Sequence, residues 1–301
     1  MDRFEALRTL VSAVDGGSLS AASRMLRMPL STVSRKISEL EAHLTTQLLV
    51  RTPRKLLLTD AGEAFVHTAR RLLAELDEAE RAASGEYREP IGELLVTAPI
   101  AFGKLHILPI VLDFLRAFPK VDVRLVLSDK IIDLAENHVD VAARLGRLPD
   151  SGLVGMRVGE VRWITVASPG YLAERGTPAT PAALAEHSCL AFEGLHTSRS
   201  WRFTGDADGS ALAINPRLGV NTADALVEAA SNGLGIARMT SYQAAAALRG
   251  GQLVEILKPF VGDPIPVHLV HTGPPLVPLK LRAFLDFAAP RLRASLGALP
   301  R

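Results

Sequence analysis

Ser18-Leu19-Ser20-Ala21-Ala22-Ser23-Arg24-Met25-Leu26, a break at Arg27-Met28-Pro29, then Leu30-Ser31-Thr32-Val33-Ser34-Arg35-Lys36-Ile37-Ser38-Glu39-Leu40-Glu41 is the stretch that decides the fold. Two short amphipathic helices flank a tight turn, and the second carries hydroxyls, Arg and Lys on its outer face, the pattern of a helix-turn-helix that reads DNA. Ser18 is a good N-cap, and Ala21-Ala22 are small enough to let a second helix cross closely. Val33, Ile37, Leu40 and Leu44, at spacings of four, three and four, form one apolar stripe that docks inward. Leu30, Ser31, Thr32, Ser34 and Arg35 are left as candidate DNA contacts. Hydroxyls and amides at a helix N-terminus suit phosphate oxygens, and an arginine can fork onto guanine O6 and N7. Pro29 fits the helix start, where no amide hydrogen is needed.

Leu48-Leu49-Val50, Arg51-Thr52-Pro53-Arg54-Lys55 and Leu56-Leu57-Leu58 read as a β-ribbon with cations at its tip, a wing that sets Arg51 and Arg54 against phosphates. Up to Thr59 there are nine Lys/Arg against five Asp/Glu. A lone helix with such a face could be merely solvated. Helix, turn, helix and basic ribbon in this order favour a DNA-binding domain.

These residues resemble a family. Ala21-Ala22 with Leu26, then Ser31, Val33, Ser34, Ile37, Leu40 and Glu41, then Arg51, Arg54, Leu58, Thr59, Ala61 and Gly62 are similar to the N-terminal domain of LysR-type transcriptional regulators. The pattern departs at Thr45, where glycine is usual, and at Leu49, usually phenylalanine; both bear on the packing of the wing root. The resemblance continues through Thr97-Ala98-Pro99-Ile100-Ala101-Phe102-Gly103, Asp140-Val141-Ala142-Ala143-Arg144-Leu145-Gly146 and Ala167-Ser168-Pro169-Gly170-Tyr171-Leu172. It implies a dimer or a dimer of dimers on an interrupted palindrome, with bilobed domains that sense a small molecule.

Composition bounds the chain independently. At 301 residues and 48% apolar content it can bury a large core in two or three domains. One cysteine, Cys189, excludes an internal disulfide and a four-cysteine zinc site, and a reducing cytoplasm is the simplest compartment. Phe4, Leu7, Leu10, Val11 and Val14 fall on one side of an opening helix, so the start reads as structure rather than as a signal peptide. No apolar run approaches the roughly 18 residues of a membrane helix.

From Thr59 or Asp60, with Glu63 as capping-box partner of Asp60, helical patterning runs to about Ser84. Phe65, Ala69, Leu72, Leu76, Ala79 and Ala83 recur as a heptad seam, with Phe65, Leu72 and Leu76 as candidate dimer contacts. The alternative is a helix packed on its own domain. The expected division is 1–59 for the winged helix-turn-helix, 60–90 for the linker helix and hinge, and 91–301 for an effector domain. Beyond the hinge strands and helices alternate, implying an α/β domain with a mostly parallel sheet. Crossings near Val166-Ala167 and Pro266-His268 divide it into lobe I (about 91–165 and 268–301) and lobe II (about 166–267), which looks like a periplasmic-binding-protein fold.

In such sheets ligands lie beyond the carboxyl ends of strands and at helix N-termini. The candidate effector contacts are Pro99, Ile100, Phe102, Ser128, Arg144 and Thr222. Thr222 either helps hold a carboxylate or caps its own helix, and Arg144 either meets an anion or bridges to a nearby Asp. Pro99, Ile100 and Phe102 read as apolar wall. The eight histidines are scattered, no phosphate loop, dinucleotide loop or nucleophile elbow is present, and Cys189 near His187 sits in a Leu/Ala/Phe strand. No enzyme, cofactor or metal is expected. The expected function is an effector-responsive regulator that binds double-stranded DNA as a homodimer or homotetramer, with no membrane partner; the alternative is a ligand-independent architectural DNA binder.

Overall fold

The computed structural model describes residues 2–51, 56–83, 89–148, 152–192, 200–204, 211–273 and 277–299, in two compact units, Met1–Arg88 and Glu89–Arg301. The first unit holds α1 (Arg3–Asp15), α2 (Leu19–Leu26), α3 (Leu30–Leu44), the ribbon β1 (Leu49–Arg51) and β2 (Leu56–Leu58), and α4 (Asp60–Ala83). Ser18 caps α2, its Oγ accepting the Ala21 amide at 3.1 Å. The helix ends at Arg27, in the left-handed region at φ 53°, and the Met28 amide returns to the Ser23 carbonyl at 3.0 Å. Val33, Ile37 and Leu40 are buried with Leu10, Ala13, Ala22 and Leu48 in one core. Burial of an α3 stripe at this spacing leaves its opposite face to solvent.

Thr59, rather than Asp60, caps α4: its hydroxyl accepts the Gly62 amide at 2.9 Å and donates to the Gln47 carbonyl at 2.8 Å. Glu63 gives its amide to the Thr59 carbonyl at 2.9 Å, which is ordinary helical bonding and not the expected capping box. The helix packs on its own domain through Val66, Ala69 and Leu73, which are buried in the same core, so Ala69 of the expected seam is used internally. Ion pairs Arg8–Asp77, at 2.5 Å, and Arg70–Asp15 tie α4 to α1. The first helix supplies the surface that the wing alone lacks. Phe65 packs partly against this core, Leu76 is half-buried and Leu72 stays exposed.

The second unit runs β3 (Gly92–Ala98), α5 (Ile100–Phe102), a π-helical turn (Gly103–Ile107), α6 (Leu108–Ala117), β4 (Val121–Leu127), β5 (Val141–Leu145), β6 (Val154–Val161), β7 (Trp163–Ala167) and α7 (Pro169–Arg175). It continues through β8 (Cys189–Phe192), β9 (Ser200–Trp201), β10 (Leu212–Ala213), β11 (Pro216–Val220), α8 (Ala223–Ser231), β12 (Ile236–Thr240), α9 (Ser241–Arg249), β13 (Val254–Ile256), β14 (Ile265–His271) and α10 (Leu279–Gly297). Two five-stranded sheets result, ordered β4-β3-β5-β14-β6 and β11-β8-β12-β7-β13, with β9 and β10 as a separate ribbon.

Both sheets are mixed, which corrects the mostly parallel expectation. The β3–β4, β3–β5, β8–β11 and β8–β12 pairs are parallel, whereas β14 meets β5 and β6, and β7 meets β12 and β13, antiparallel. The antiparallel pairings all involve the strands beside the two crossings. The crossings also lie earlier than expected: Trp163–Ala167 belongs to the second sheet, and all of Ile265–His271 to the first. The switch occurs at Arg162, whose guanidinium grips both carboxylate oxygens of Glu255 on β13 and whose carbonyl accepts the Ser241 amide at 2.8 Å. A strand's own apolar pattern does not say which sheet it joins, and here a partly buried ion pair sits at the point of exchange.

Candidate nucleic-acid interface and effector site

On α3 the candidate contacts share one surface. Leu30, Ser31 and Arg35 are exposed, and Thr32 and Ser34 are half-buried beside them. The helix has no side-chain N-cap, so the amides of its first turn include unsatisfied donors next to Ser31. Arg35 is paired with Glu39 at 2.6 Å, an exposed pair worth about 0–1 kcal/mol that DNA can displace. Lys36 turns the other way, to Glu5 of α1, and is nearly buried there. The Arg51 side chain and Arg54 lie outside the described residues.

The wing root is built by Thr45 and Leu49, as the departures from the family pattern suggested, together with Glu41 and Gly62. Glu41 Oε1 accepts the amides of Leu48 and Leu49 at 2.8 and 3.0 Å, so the last turn of α3 anchors β1. Gly62 packs directly beneath: a Cβ there would stand 2.1 Å from the Leu48 carbonyl oxygen. Thr45 ends α3 at φ 50°, ψ 31°, the left-handed region that glycine enters without penalty. Leu49 is fully buried in the common core.

In the effector unit three of the six expected contacts converge. Pro99, Ser128 and Arg144 line one cavity of about 670 Å³ in the first lobe. Arg144 donates to the Ile132 carbonyl; burial disfavours its charge and the nearby Asp133 partly restores it. Asp133 acts on its charge, but among the described residues no carboxylate forms the expected bridge to it. Ile100 gives its amide to Asp129 at 3.1 Å, so a carboxylate of the chain already occupies the start of α5.

Phe102 is not apolar wall. It is completely buried, stacked edge-on to Tyr242 of the second lobe at 5.5 Å and tilted against His106 at 4.9 Å. Tyr242, distant in sequence, covers the ring that the local pattern left open. Thr222 caps α8, accepting the Ala225 amide at 3.4 Å. Asp224 follows it in the first turn, where its charge suits the helix end and repels a second carboxylate. Asp224 also meets Lys104 of the π-turn at 2.8 Å, an exposed bridge between lobes.

Two further groups escaped the sequence reading. Arg238 on β12 lies over Phe203 at 4.6 Å and Trp163 at 5.5 Å, and burial pulls its pKa down to about 10. His106 bonds Ser295 through Nδ1 at 2.9 Å and leaves Nε2 buried without a partner. Basic and aromatic types scattered this far apart give no local signal. Cys189 is buried, its thiol pushed up to about 11, and the His187 ring bonds the Tyr171 hydroxyl at 3.2 Å, so they form no thiol–imidazole pair. Among the described residues no helix is long and apolar enough to cross a membrane.

Residues 4–63 match the family described as bacterial regulatory helix-turn-helix protein, lysR family, and residues 88–293 match the LysR substrate binding domain. The chain belongs to the LysR-type transcriptional regulators. It is 34% identical to an HTH-type transcriptional regulator of Xanthomonas campestris pv. campestris over 94% of this chain and 83% of that one. Among solved structures, the LysR-type regulator CrgA from Neisseria meningitidis is 33% identical, covers 96% of this chain and 98% of its own, and has a TM-score of 0.62. The full-length Vibrio cholerae virulence activator AphB is 30% identical over 94% of this chain and 97% of its own, with a TM-score of 0.60. As a LysR-type regulator the chain is a DNA-binding protein with an effector-binding domain, and not an enzyme.

Proposed function

We propose that this LysR-type regulator reads its operator with Leu30, Ser31, Thr32, Ser34 and Arg35 of α3, while Arg51 and Arg54 of the wing neutralise phosphates. The observation that carries the reading is the division of labour on α3. Lys36 is turned inward to Glu5 while Arg35 and Ser31 stay exposed beside the free helix end. The working parts are 1–59 for DNA, 60–90 as linker and 91–301 for the effector, acting in the cytoplasm where the promoter is.

A homodimer, or a dimer of dimers, joined through Phe65, Leu72 and Leu76 of α4 sets the spacing of two half-sites. Exposed Leu72, on a helix whose other stripe is satisfied by α1, supports this. The effector acts through residues at the carboxyl ends of the lobe I strands, among them Pro99, Ile100, Ser128 and Arg144. Burial of Phe102 and the capping role of Thr222 remove both from direct contact in this reading.

Footprinting the promoter shared with a divergently transcribed neighbouring gene tests the DNA reading. Two protected half-sites one helical repeat or a multiple apart are expected; protection without sequence preference would favour an architectural DNA binder instead. Leu72→Glu with Leu76→Glu tests the linker, since like charges would face each other across the seam. Light scattering at the parental mass with an unchanged footprint would show that dimerisation lies elsewhere.

A further inference from the structure

The first-lobe cavity lies on one face of its sheet. Alternation along β5 and β14 sends Val141, Ala143, Val267 and Leu269 to the face covered by α6 and α10, and Ala142 and Val270 to the opposite face. No helix covers that second face among the described residues. Residues 128–135 after β4 and the described residues Leu148 and Leu153 after β5 lie against it instead, with Ile132, Leu134, Leu148 and Leu153 packed on Ala142 and Val270. Every described residue lining the cavity belongs to the first lobe. At about 670 Å³ it falls within the 300–1,000 Å³ range typical of small-molecule sites.

The polar groups at its mouth are unequal. Asp129 is engaged by the Ile100 amide, and Asp133 by the amides of Ala135 and Glu136 at 2.8 and 2.9 Å. Both carboxylates therefore serve the backbone. The cations are Lys130, Arg144 and Arg147. Arg144 is the partly buried one, and among the described residues its side chain bonds only a neutral carbonyl, leaving most of a five-donor fork for a ligand. An anion gains from a guanidinium that is partly buried and that, among the described residues, no acid has salt-bridged, Asp133 acting on it only through space.

We propose that this chamber is a ligand site contained within lobe I, and that it takes an apolar monocarboxylic acid, the hydrocarbon body against Ile132, Leu134, Leu148 and Leu153 and the carboxylate on Arg144. The proposal deepens the effector reading by naming the class of molecule and its seat. It differs from a cleft mechanism because no residue of the second lobe has to close on the ligand.

The test uses the full-length chain with octanoate, 1-octanol and octylamine as probes, read by calorimetry and by displacement of anilinonaphthalene sulfonate fluorescence. Octanoate is expected to bind saturably and at least about tenfold more tightly than the alcohol, the span of one charge-assisted hydrogen bond. Arg144→Met should erase the preference for acid over alcohol, Arg144→Lys should restore part of it, and Leu153→Trp should weaken all probes by filling the chamber. Thermal unfolding of each variant shows that the lobe is folded. Equal binding of octanoate and octanol, no binding at all, or parental binding in Leu153→Trp would overturn the chamber while leaving the regulator reading intact. Failure of the parent to bind operator DNA would strike that reading and not the chamber.

Discussion

The proposed reading helix and the proposed lobe I chamber are built by opposite means. On α3 the candidate contacts come from six consecutive residues, Leu30 to Arg35, displayed on a helix whose other side is locked into the core by Val33, Ile37 and Leu40. The chamber draws Pro99, Ser128, Arg144 and Leu153 from four separate segments, and its walls are loops resting on one face of a sheet. The difference concerns what a mutation can do. In the proposed roles, a side chain on α3 is expected to lose recognition when cut back while folding is kept, whereas Arg144 of the chamber also holds the Ile132 carbonyl. Recognition and stability are then expected to be separable in the first region and coupled in the second.

The largest expected effect strikes the support beneath the first region. Gly62→Ala puts a methyl group against the Leu48 carbonyl and should destabilise the DNA-binding unit by about 3 kcal/mol, the upper part of the overpacking range. Unfolding followed by circular dichroism should show that unit melting early, with the effector unit unchanged. A parental melting profile would mean that the wing root can shift aside.

Next is Arg35→Ala, which should cost about 2 kcal/mol of operator affinity and relax sequence choice at one position, with binding to random DNA nearly unchanged. Equal losses on both duplexes, measured by fluorescence anisotropy, would assign Arg35 to phosphate and weaken the contrast drawn above. Thr45→Gly should stabilise the DNA-binding unit by about 1 kcal/mol, because it removes a side chain from a left-handed position. Denaturant midpoints read this directly, and no gain would show that the Thr45 hydroxyl, bonded to the Leu44 carbonyl at 2.7 Å, offsets the strain.

The smallest effect belongs to the effector unit and to pH. Burial holds His106 below its ordinary value of 6.5, and burial also lowers His268 and His271. The unfolded chain therefore takes up protons first on acidification, and stability present at neutral pH is lost as pH falls through and below about 6.5. His106→Gln should flatten part of that decline in melting temperature. An unchanged slope would assign the acid sensitivity to the other two histidines or to carboxylates.

The same contrast explains what could be read from the chain alone. The α3 stripe, the Ser18 cap and the order helix, turn, helix, ribbon depend on neighbours within a few residues, so they were legible. That Pro99, Ser128 and Arg144 line one cavity was reachable from their places at strand ends. Phe102 was misjudged because its cover, Tyr242, comes from the other lobe, and the first crossing was set inside β7, at Val166-Ala167, because an apolar run is equally at home in either sheet. The linker helix carries two overlapping stripes one residue apart. Leu72 follows the heptad and Leu73 faces α1, and only the packed structure separates them.

One turn of the effector unit has a consequence of another kind. Between α5 and α6 the helix widens into a π-turn over Gly103–Ile107, holding one residue more than an α-helical turn would. Deleting a single residue there would close the turn to α-helical width while Ile100–Phe102 and Leu108–Ala117 kept their phase, because the wide turn is what absorbs the extra residue. The same deletion within Leu108–Ala117 has no such slack and would turn the two ends of that helix by about 100° relative to each other. The stretch is thus a spare link in the chain: it can lose one residue and still present Phe102 to Tyr242, which the regular helix after it cannot do.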